Sequence, residues 1–336
     1  NKRWSHQLYV LDNHYKTKYD GYLTDIKTRA FGDQVTYKAK DHTVVGGIDW
    51  RQDKVLNMGG VKLTNTSYFV QDEWKVAPKW TVLPGVRVDH HSAFGTHTSP
   101  SISVGYDVNA KTNVYAAYKE YFLAPTPYQL FDGTNGNRNL KPETGHEWSV
   151  GVHHKFGKTW NSNLSFFSRS TKDKIGWATN PATGTVQYQN FDTEKAHGIN
   201  ADVRKQLTKH LSARLGYTYT HIDATPTRKA NRDGYVPKHA VNAGLDYNDA
   251  KWDAHLDIRG VIDRPGPAAN IFPRTTYWIT DISANYRVRE NVTVFGRVNN
   301  LFDTYYAEQS NVRWGNAGDW WPGQGRNFRL GVEVTI

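Results

Sequence analysis

Cysteine is absent from these 336 residues, and methionine occurs once. The first absence excludes disulfide staples and cysteine-ligated metal centres, though it names no compartment. No apolar run approaches the roughly 20 residues that a membrane-spanning helix needs, which excludes a helical membrane protein. Catalytic signatures are missing too: the chain has no Gly-x-Ser-x-Gly, His-Glu-x-x-His, P-loop or Gly-x-Gly-x-x-Gly, so no enzymatic chemistry is expected. There is no contiguous Lys/Arg stripe either. The 42 Lys and Arg exceed the 32 Asp and Glu, for a net charge of +10, but they alternate with acidic residues along the whole chain. That spread argues against nucleic acid as a partner and for an anionic surface or ligand. The chain opens on Asn1 with neither an initiator Met nor a signal peptide, as expected of a mature product or a piece of one.

What is present is strand chemistry. Aromatics make up 13% of the chain, with 12 Trp and 20 Tyr, a mixture that favours pleated sheet and gives no helical period. The segment 291–336 shows the pattern at its clearest. Val292, Val294 and Val298, then Phe328, Leu330, Val332, Val334 and Ile336 alternate with Thr293, Arg297, Arg329, Glu333 and Thr335. Such alternation fits a soluble sheet with one wet face, or a barrel wall with lipid outside and water inside. The rest of the chain favours the barrel. Period-two segments are predicted at 5–13, 24–39, 42–55, 62–75, 79–92, 97–108, 112–122, 142–156, 159–172, 194–207, 209–223, 236–248, 250–262, 275–288, 291–306 and 325–336. Several run past ten residues, beyond ordinary soluble strands and enough to cross a bilayer at a tilt. In 251–262, Trp252, Ala254, Leu256, Ile258, Gly260 and Ile262 oppose Lys251, Asp253, His255, Asp257 and Arg259. The second set is too charged for a soluble core. A mean hydropathy of −0.71 does not contradict this, because only alternate residues of a membrane strand meet lipid. Trp50, Trp74, Trp80, Trp148, Trp160, Trp252 and Trp278 fall near strand ends, where an interfacial girdle belongs.

The connections orient the wall. One set is tight, as at Lys40-Asp41, Gly157-Lys158 and Arg289-Glu290, and it alternates with a set that is mostly long, including 123–141, 173–193, 224–235, 263–274 and 307–324. Short turns facing the periplasm and long loops facing outward are the outer-membrane arrangement. The expected fold is therefore all-β: one antiparallel up-and-down transmembrane barrel domain over 1–336, with about sixteen strands.

Several words of the sequence then carry a resemblance. YKEYFLAPTPYQLF (118–131) with GNRNLKPETGHEWSVGV (136–152), VNNLFDTYY (298–306) and GRNFRLGVEV (325–334) resemble the signatures of the TonB-dependent outer-membrane receptors. YFVQDEWKV (68–76) and EKAHGINADV (194–203) fit as well. Read on their own chemistry, Asn299, Asn300, Asp303, Asn139, Pro142 and Glu143 are turn and register markers. The closing Arg329, Gly331, Val334 and Ile336 are similar to a barrel assembly signal, but with Ile where an aromatic is usual. The resemblance implies a barrel of 22 strands with a plug domain before it. Nothing here matches a plug, so the expectation is that the plug and first six strands lie outside this sequence. It further implies uptake of a scarce, anionic metal chelate, most simply a ferric siderophore, with energy from the TonB complex through that missing N-terminal part. Lipid and lipopolysaccharide would surround the wall. Haem or cobalamin receptors of the same family, a passive sixteen-stranded porin with an inward constricting loop, and a barrel enzyme or adhesin are the alternatives.

Ligand capture is expected in the outer loops at Tyr128, Tyr235, Arg264, Arg274, Arg313, Trp314, Trp320 and Trp321, with Phe131, Tyr188 and Phe272 nearby. Aromatic faces and guanidinium groups suit a flat anionic chelate. No resident cofactor is expected. His91 shares a face with Arg87 and Asp89 and is the one weak candidate for a metal ligand, the plainer reading being a polar residue at a loop edge. The segment 122–139 contains no His, which lowers haem against a siderophore or cobalamin.

Overall fold

The computed structural model describes residues 3–19, 22–179, 184–223, 236–264, 276–313 and 316–335. The elements in chain order are β1 (Trp4–Tyr19), β2 (Tyr22–Lys38), β3 (His42–Val55), β4 (Val61–Ala77), β5 (Trp80–His91), β6 (Gly95–Asn109), β7 (Thr112–Leu123), a short helix α1 (Pro127–Phe131), β8 (Glu143–Phe156), β9 (Trp160–Thr179), β10 (Val186–Gln206), β11 (Leu211–Asp223), β12 (His239–Asn248), β13 (Trp252–Ile262), β14 (Tyr277–Arg289), β15 (Val292–Asn299), β16 (Ala307–Arg313), β17 (Asn316–Pro322) and β18 (Asn327–Val334). Sixteen strands form one antiparallel sheet in sequence order, with β18 following β15. The pair β16–β17 forms a separate two-stranded ribbon. Among the described residues β1 and β18 are the two ends of this order and do not pair with each other.

Register sorts the side chains. On β13, His255 stands opposite Asp246 and Ser283, and Leu256 opposite Leu245 and Ile282, so neighbours in the chain face opposite sides and neighbours in the sheet share one. Followed strand to strand, the outward side carries Val10, Phe31, Trp50, Tyr68, Val86, Ile102, Trp148, Phe166, Leu215, Trp252, Ile282 and Leu330. All of them are exposed except Trp50, which is half-buried. The inward side carries charge in networks. Arg87 bonds Asp49 at 2.9 Å and Asp89 at 3.2 Å, and His255 meets Asp246 at 2.9 Å and Asp253 at 3.2 Å. Apolar side out and polar side in is the reverse of a soluble sandwich, and it is what a wall between lipid and water requires.

The sixteen expected strands are all present, and the differences lie at the outer rim. The predicted loop 173–193 is mostly ladder, because β9 and β10 continue past a paired irregularity at Asp173 and Asp192. Phe191 pairs with Lys174 and Val186 with Thr179, while Asp173 takes a φ of 54°. The sequence predicts 173–193 as one long outer loop, whereas in the fold these two acidic residues are a kink within a hairpin. The loop 307–324 contains the β16–β17 ribbon. Against the expectation of no helix, α1 forms one turn. Its Thr126 hydroxyl accepts from Gln129 N, the Gln129 side chain accepts from Thr126 N, and Pro127 opens the turn, a capping box whose Thr-x-x-Gln signature stands in the sequence. No helix of the described residues is long and apolar enough to cross a membrane.

Candidate functional site

The outer mouth is built from loops that have small cores of their own. Leu130 of α1 and Leu140 pack with Leu63 at the outer end of β4 and Ile175 of β9, flanked by Phe94, Phe131 and Tyr188. The β7–β8 connection therefore lies inward across the mouth and does not project from it. Polar clamps hold it: Glu143, buried, accepts from Ile175 N at 2.9 Å and from Lys174 Nζ at 2.8 Å, and Asn190 Nδ2 donates to the carbonyls of Lys141 and Asp173. Asn137 Nδ2 donates to the Tyr188 carbonyl at 2.8 Å. Tyr128 stands at this site, 40% exposed and edge-on to Tyr188 with ring centroids 6.2 Å apart. Arg138 lies over the Phe131 ring at 5.4 Å.

At the outer end of β15, Asn300 fixes the Asn-Leu-Phe-Asp turn. It takes a φ of 50° and is almost fully buried. Its amide nitrogen donates to the carbonyls of Thr304 and Gln324, its side-chain oxygen accepts from Thr304 N, and its backbone N donates to Asp281. Asp303, with φ 51°, accepts from Arg326 N at 2.7 Å. These residues, with Glu143, are the turn and register markers that their types suggest.

Above the turn, Tyr277, Ile279 and Tyr306 form a second core, with Val261 packed on it. Arg264 belongs here. It is 3% exposed, its guanidinium lies 5.6 Å from the Tyr277 ring centre, and it donates to the Ala307 carbonyl at 2.7 Å. Its contacts are those of an anchor for the ribbon, drawn inward from the position a free loop cation would have.

Below the turn, on the inward face of β11–β15, opens a polar cavity of about 500 Å³, whose lining includes Arg214, Asn242, Asp257, Arg259, Asp281, Asn300, Tyr306 and Gln324. Arg214 reaches Asp257 by crossing Gly244, where a Cβ would lie 2.5 Å from its guanidinium carbon. Its second carboxylate is Asp246, at 3.3 Å. Arg259 differs: no carboxylate of the described residues lies in ion-pair range, and its guanidinium sits 5.9 Å from the centre of the Tyr306 ring. Sequence reasoning placed the site in the loops and missed this lumenal set. The available signal was the alternation of Asp257 and Arg259 on the water-facing side of β13.

The remaining expected residues divide. Arg313, Trp320 and Trp321 lie on the ribbon, where Ser310 pairs with Trp320, Gln309 with Trp321 and Arg313 with Asn316. Tyr235, Phe272, Arg274 and Trp314 lie outside the described residues. His91 is buried, accepts from Ala93 N through Nδ1 at 3.1 Å and stacks on Phe94, while Asp89 is taken by Ser67, Asn65 and Arg87. Among the described residues no group of three or more His, Cys, Asp or Glu could hold a metal ion.

An outward apolar wall, short inner turns and a polar inward face with folded outer loops are joined by a match to one family in sequence. The family model described as TonB dependent receptor-like, beta-barrel covers residues 2–301. The chain belongs to this family. As a TonB-dependent receptor barrel it is an outer-membrane protein that crosses with strands, and the family match, not the inward loop, decides against a porin. It is 27% identical over 317 residues to the iron-regulated outer membrane virulence protein of Vibrio cholerae, covering 86% of this chain and 47% of that protein. Against the vitamin B12 transporter BtuB of Photobacterium profundum, identity is 26% over 284 residues, 78% of this chain and 43% of the transporter. The receptor barrel thus spans about half the length, or less, of the curated relatives it matches. In fold it is similar to the siderophore receptor PirA of Pseudomonas aeruginosa, with a TM-score of 0.74 and 20% identity over 98% of this chain and 59% of that one. The copper transporter OprC gives a TM-score of 0.71 at 17% identity, covering 99% of this chain and 61% of that one.

Proposed function

We infer that this chain is the C-terminal part of the wall of an active receptor that takes up an anionic metal chelate, a ferric siderophore first among them. The outer mouth binds the ligand, and the TonB complex supplies the work of release through a part of the receptor outside these residues. The two sheet ends left unpaired among the described residues support the larger wall, since a strand edge facing lipid leaves its backbone groups without partners. The observation that carries the ligand reading is Arg259: a guanidinium with no carboxylate of the described residues in ion-pair range, lying against an aromatic ring in a polar cavity beneath the mouth. Such a group favours a ligand with oxygen donors and negative charge. A relative named ferric enterobactin receptor PirA, of Pseudomonas aeruginosa, 25% identical over 279 residues, supports the same class. Cobalamin is the second reading, favoured by the BtuB relatives.

Equilibrium binding of ferric enterobactin, haemin and cyanocobalamin to the full-length receptor tests this. Arg259→Ala, Tyr128→Ala and Trp320→Ala remove the cation and two aromatic candidates. Loss of one central anchor is expected to weaken the ferric siderophore by about 2 kcal/mol, roughly thirtyfold. If cyanocobalamin binds best the second reading replaces the first, and if all variants bind as the parent does, these residues only pack the mouth.

A further inference from the structure

Two arginine pairs on the inward face of the wall invite comparison. Arg204 of β10 stands opposite Arg214 of β11. Asp246 lies 3.8 Å from the first and 3.3 Å from the second, and Asp257 binds the second as well. Arg297 of β15 stands opposite Arg329 of β18 in the same way. Val298 faces Ile282 and Phe328 on the outward side, so the two arginines, one residue away on their strands, point inward, and both are exposed there. Among the described residues no carboxylate lies in ion-pair range of either. Guanidinium groups directly abreast, on strands about 4.8 Å apart, repel one another, so this pair is destabilising until an anion joins it. The nearby carboxylates are engaged elsewhere. Across from Arg297 on β14 stands the neutral Ser283, and beyond it His255, which holds Asp246 at 2.9 Å and Asp253 at 3.2 Å. Asp281, one step above Ser283 on that face, accepts from Asn300 N at 2.7 Å. Glu333 shares the inward face of β18 with Arg329 but lies four residues below it, about 13 Å along the strand.

Position decides what could answer this charge. Directly above the pair, Asn299 Nδ2 donates to Asn327 Oδ1 at 2.8 Å, and both residues belong to the lining of the polar cavity beneath the mouth. Directly below it, the Phe295 ring crosses Gly331 and fills the space where a side chain would stand. The pair is thus the next inward step under the cavity, with an aromatic floor. Arg259 stands opposite Ile279, and Arg297 opposite Ser283, four residues further down β14. At about 3.3 Å per residue the second cationic level lies about 13 Å deeper than the first.

We propose that Arg297 and Arg329 form a second anion-binding station in the lumen, which takes paired anionic oxygens of the chelate, carboxylate or catecholate, once it has left the level of Arg259. Two guanidinium forks side by side suit two oxygens held on one rigid frame, and an occupied pair exchanges its repulsion for charge-assisted hydrogen bonds. The identity of the cargo rests on the function proposed for the mouth, whereas the affinity of the pair for an oxyanion stands without it.

Phenylglyoxal, which modifies guanidinium groups, tests the pair in the full-length receptor, with peptide mass spectrometry following each arginine and citrate as the probe anion. Without citrate, Arg297 and Arg329 should react about tenfold faster than Arg214, which its carboxylates shield. Excess citrate should slow both about tenfold, and sodium chloride of the same ionic strength should slow neither. In cells, the double variant Arg297→Gln with Arg329→Gln should bind ferric enterobactin at the mouth as the parent does but take it up about tenfold more slowly. Should that variant fail to assemble, Arg329→Lys, which keeps the charge and loses the fork, should slow uptake about threefold. A pair that resists phenylglyoxal without added anion is already held by a carboxylate of the receptor itself, and the proposal falls. Equal reactivity with and without citrate, equal protection by chloride, or uptake by the variant at the parental rate overturns it as well. If the parent does not bind ferric enterobactin, the siderophore reading of the mouth fails, and the citrate result still decides whether the station exists.

Discussion

The two faces of strand β13 are built by different rules. Outward, Leu256 lies among Leu245 and Ile282, and nothing about it is specific beyond being apolar. Inward, one residue earlier, His255 has two named carboxylates, and Asp253 a further amide from Asn285. A lipid-facing position is chosen for its phase and a water-facing one for its partners. The outward face should therefore tolerate any apolar exchange and no charge, and the inward face should tolerate charge and be sensitive to shape.

The strongest break of that contrast is Leu256→Arg, expected to cost about 2–4 kcal/mol if the site is near the midplane, against less than about 1 kcal/mol for His255→Arg. Urea refolding titrations of the two variants into phosphatidylcholine vesicles measure this, and equal costs would reverse the phase of β13. A smaller effect is expected on the inward side at Asn300. Removing its buried side chain leaves the Thr304 and Gln324 carbonyls short of a donor, so Asn300→Ala should cost about 2 kcal/mol. Asn300→Gly relieves the positive φ but restores no bond, so it should recover only part of the loss. Full recovery in the same titration would mean that backbone conformation, not bonding, fixes this turn.

The least effect sharpens the comparison at the inner rim, where neither lipid nor ligand constrains the chain. In the β12–β13 turn, Asp249 accepts from Trp252 N, Tyr247 Oη and Lys251 N, each at 2.7 Å, and these donors hold its carboxyl down at about 2. A carboxyl whose pKa is lowered on folding stabilises above its unfolded value and loses that contribution as pH falls through the folded one. The stability gap between parent and Asp249→Asn should accordingly be constant above about pH 4 and shrink between about pH 4 and about pH 2. A gap independent of pH over that range would assign the turn to backbone geometry alone.

Phase was the legible part. Period two sorted Leu256 from His255, and His90 from His91, because sheet geometry allows only two directions and lipid enforces the choice. Turn chemistry was legible at Asn300 and Asp303, whose types suit the positive φ they adopt. What could not be read was chemistry that depends on a distant strand. Ile175 is ladder rather than loop because Leu130 and Leu63 meet it across the mouth, and Arg264 is an anchor because Ala307, forty-three positions on, offers it a carbonyl. The capping box at Thr126 was available in the sequence, but a single helical turn is stable only through the packing of its Leu130.

That packing has a mechanical consequence. Ladder hydrogen bonds fix each strand to its neighbours but leave the bend of a long sheet soft, and a wall of this length could open or flatten by small changes at every pair. The cluster of Leu63, Leu130, Leu140 and Ile175 ties β4 to β9 by a path that does not follow the sheet. It is a chord drawn across an arc, and it sets the curvature of the five inter-strand steps it subtends. Whatever passes beneath that chord must either fit the opening it leaves or loosen four apolar side chains from one another.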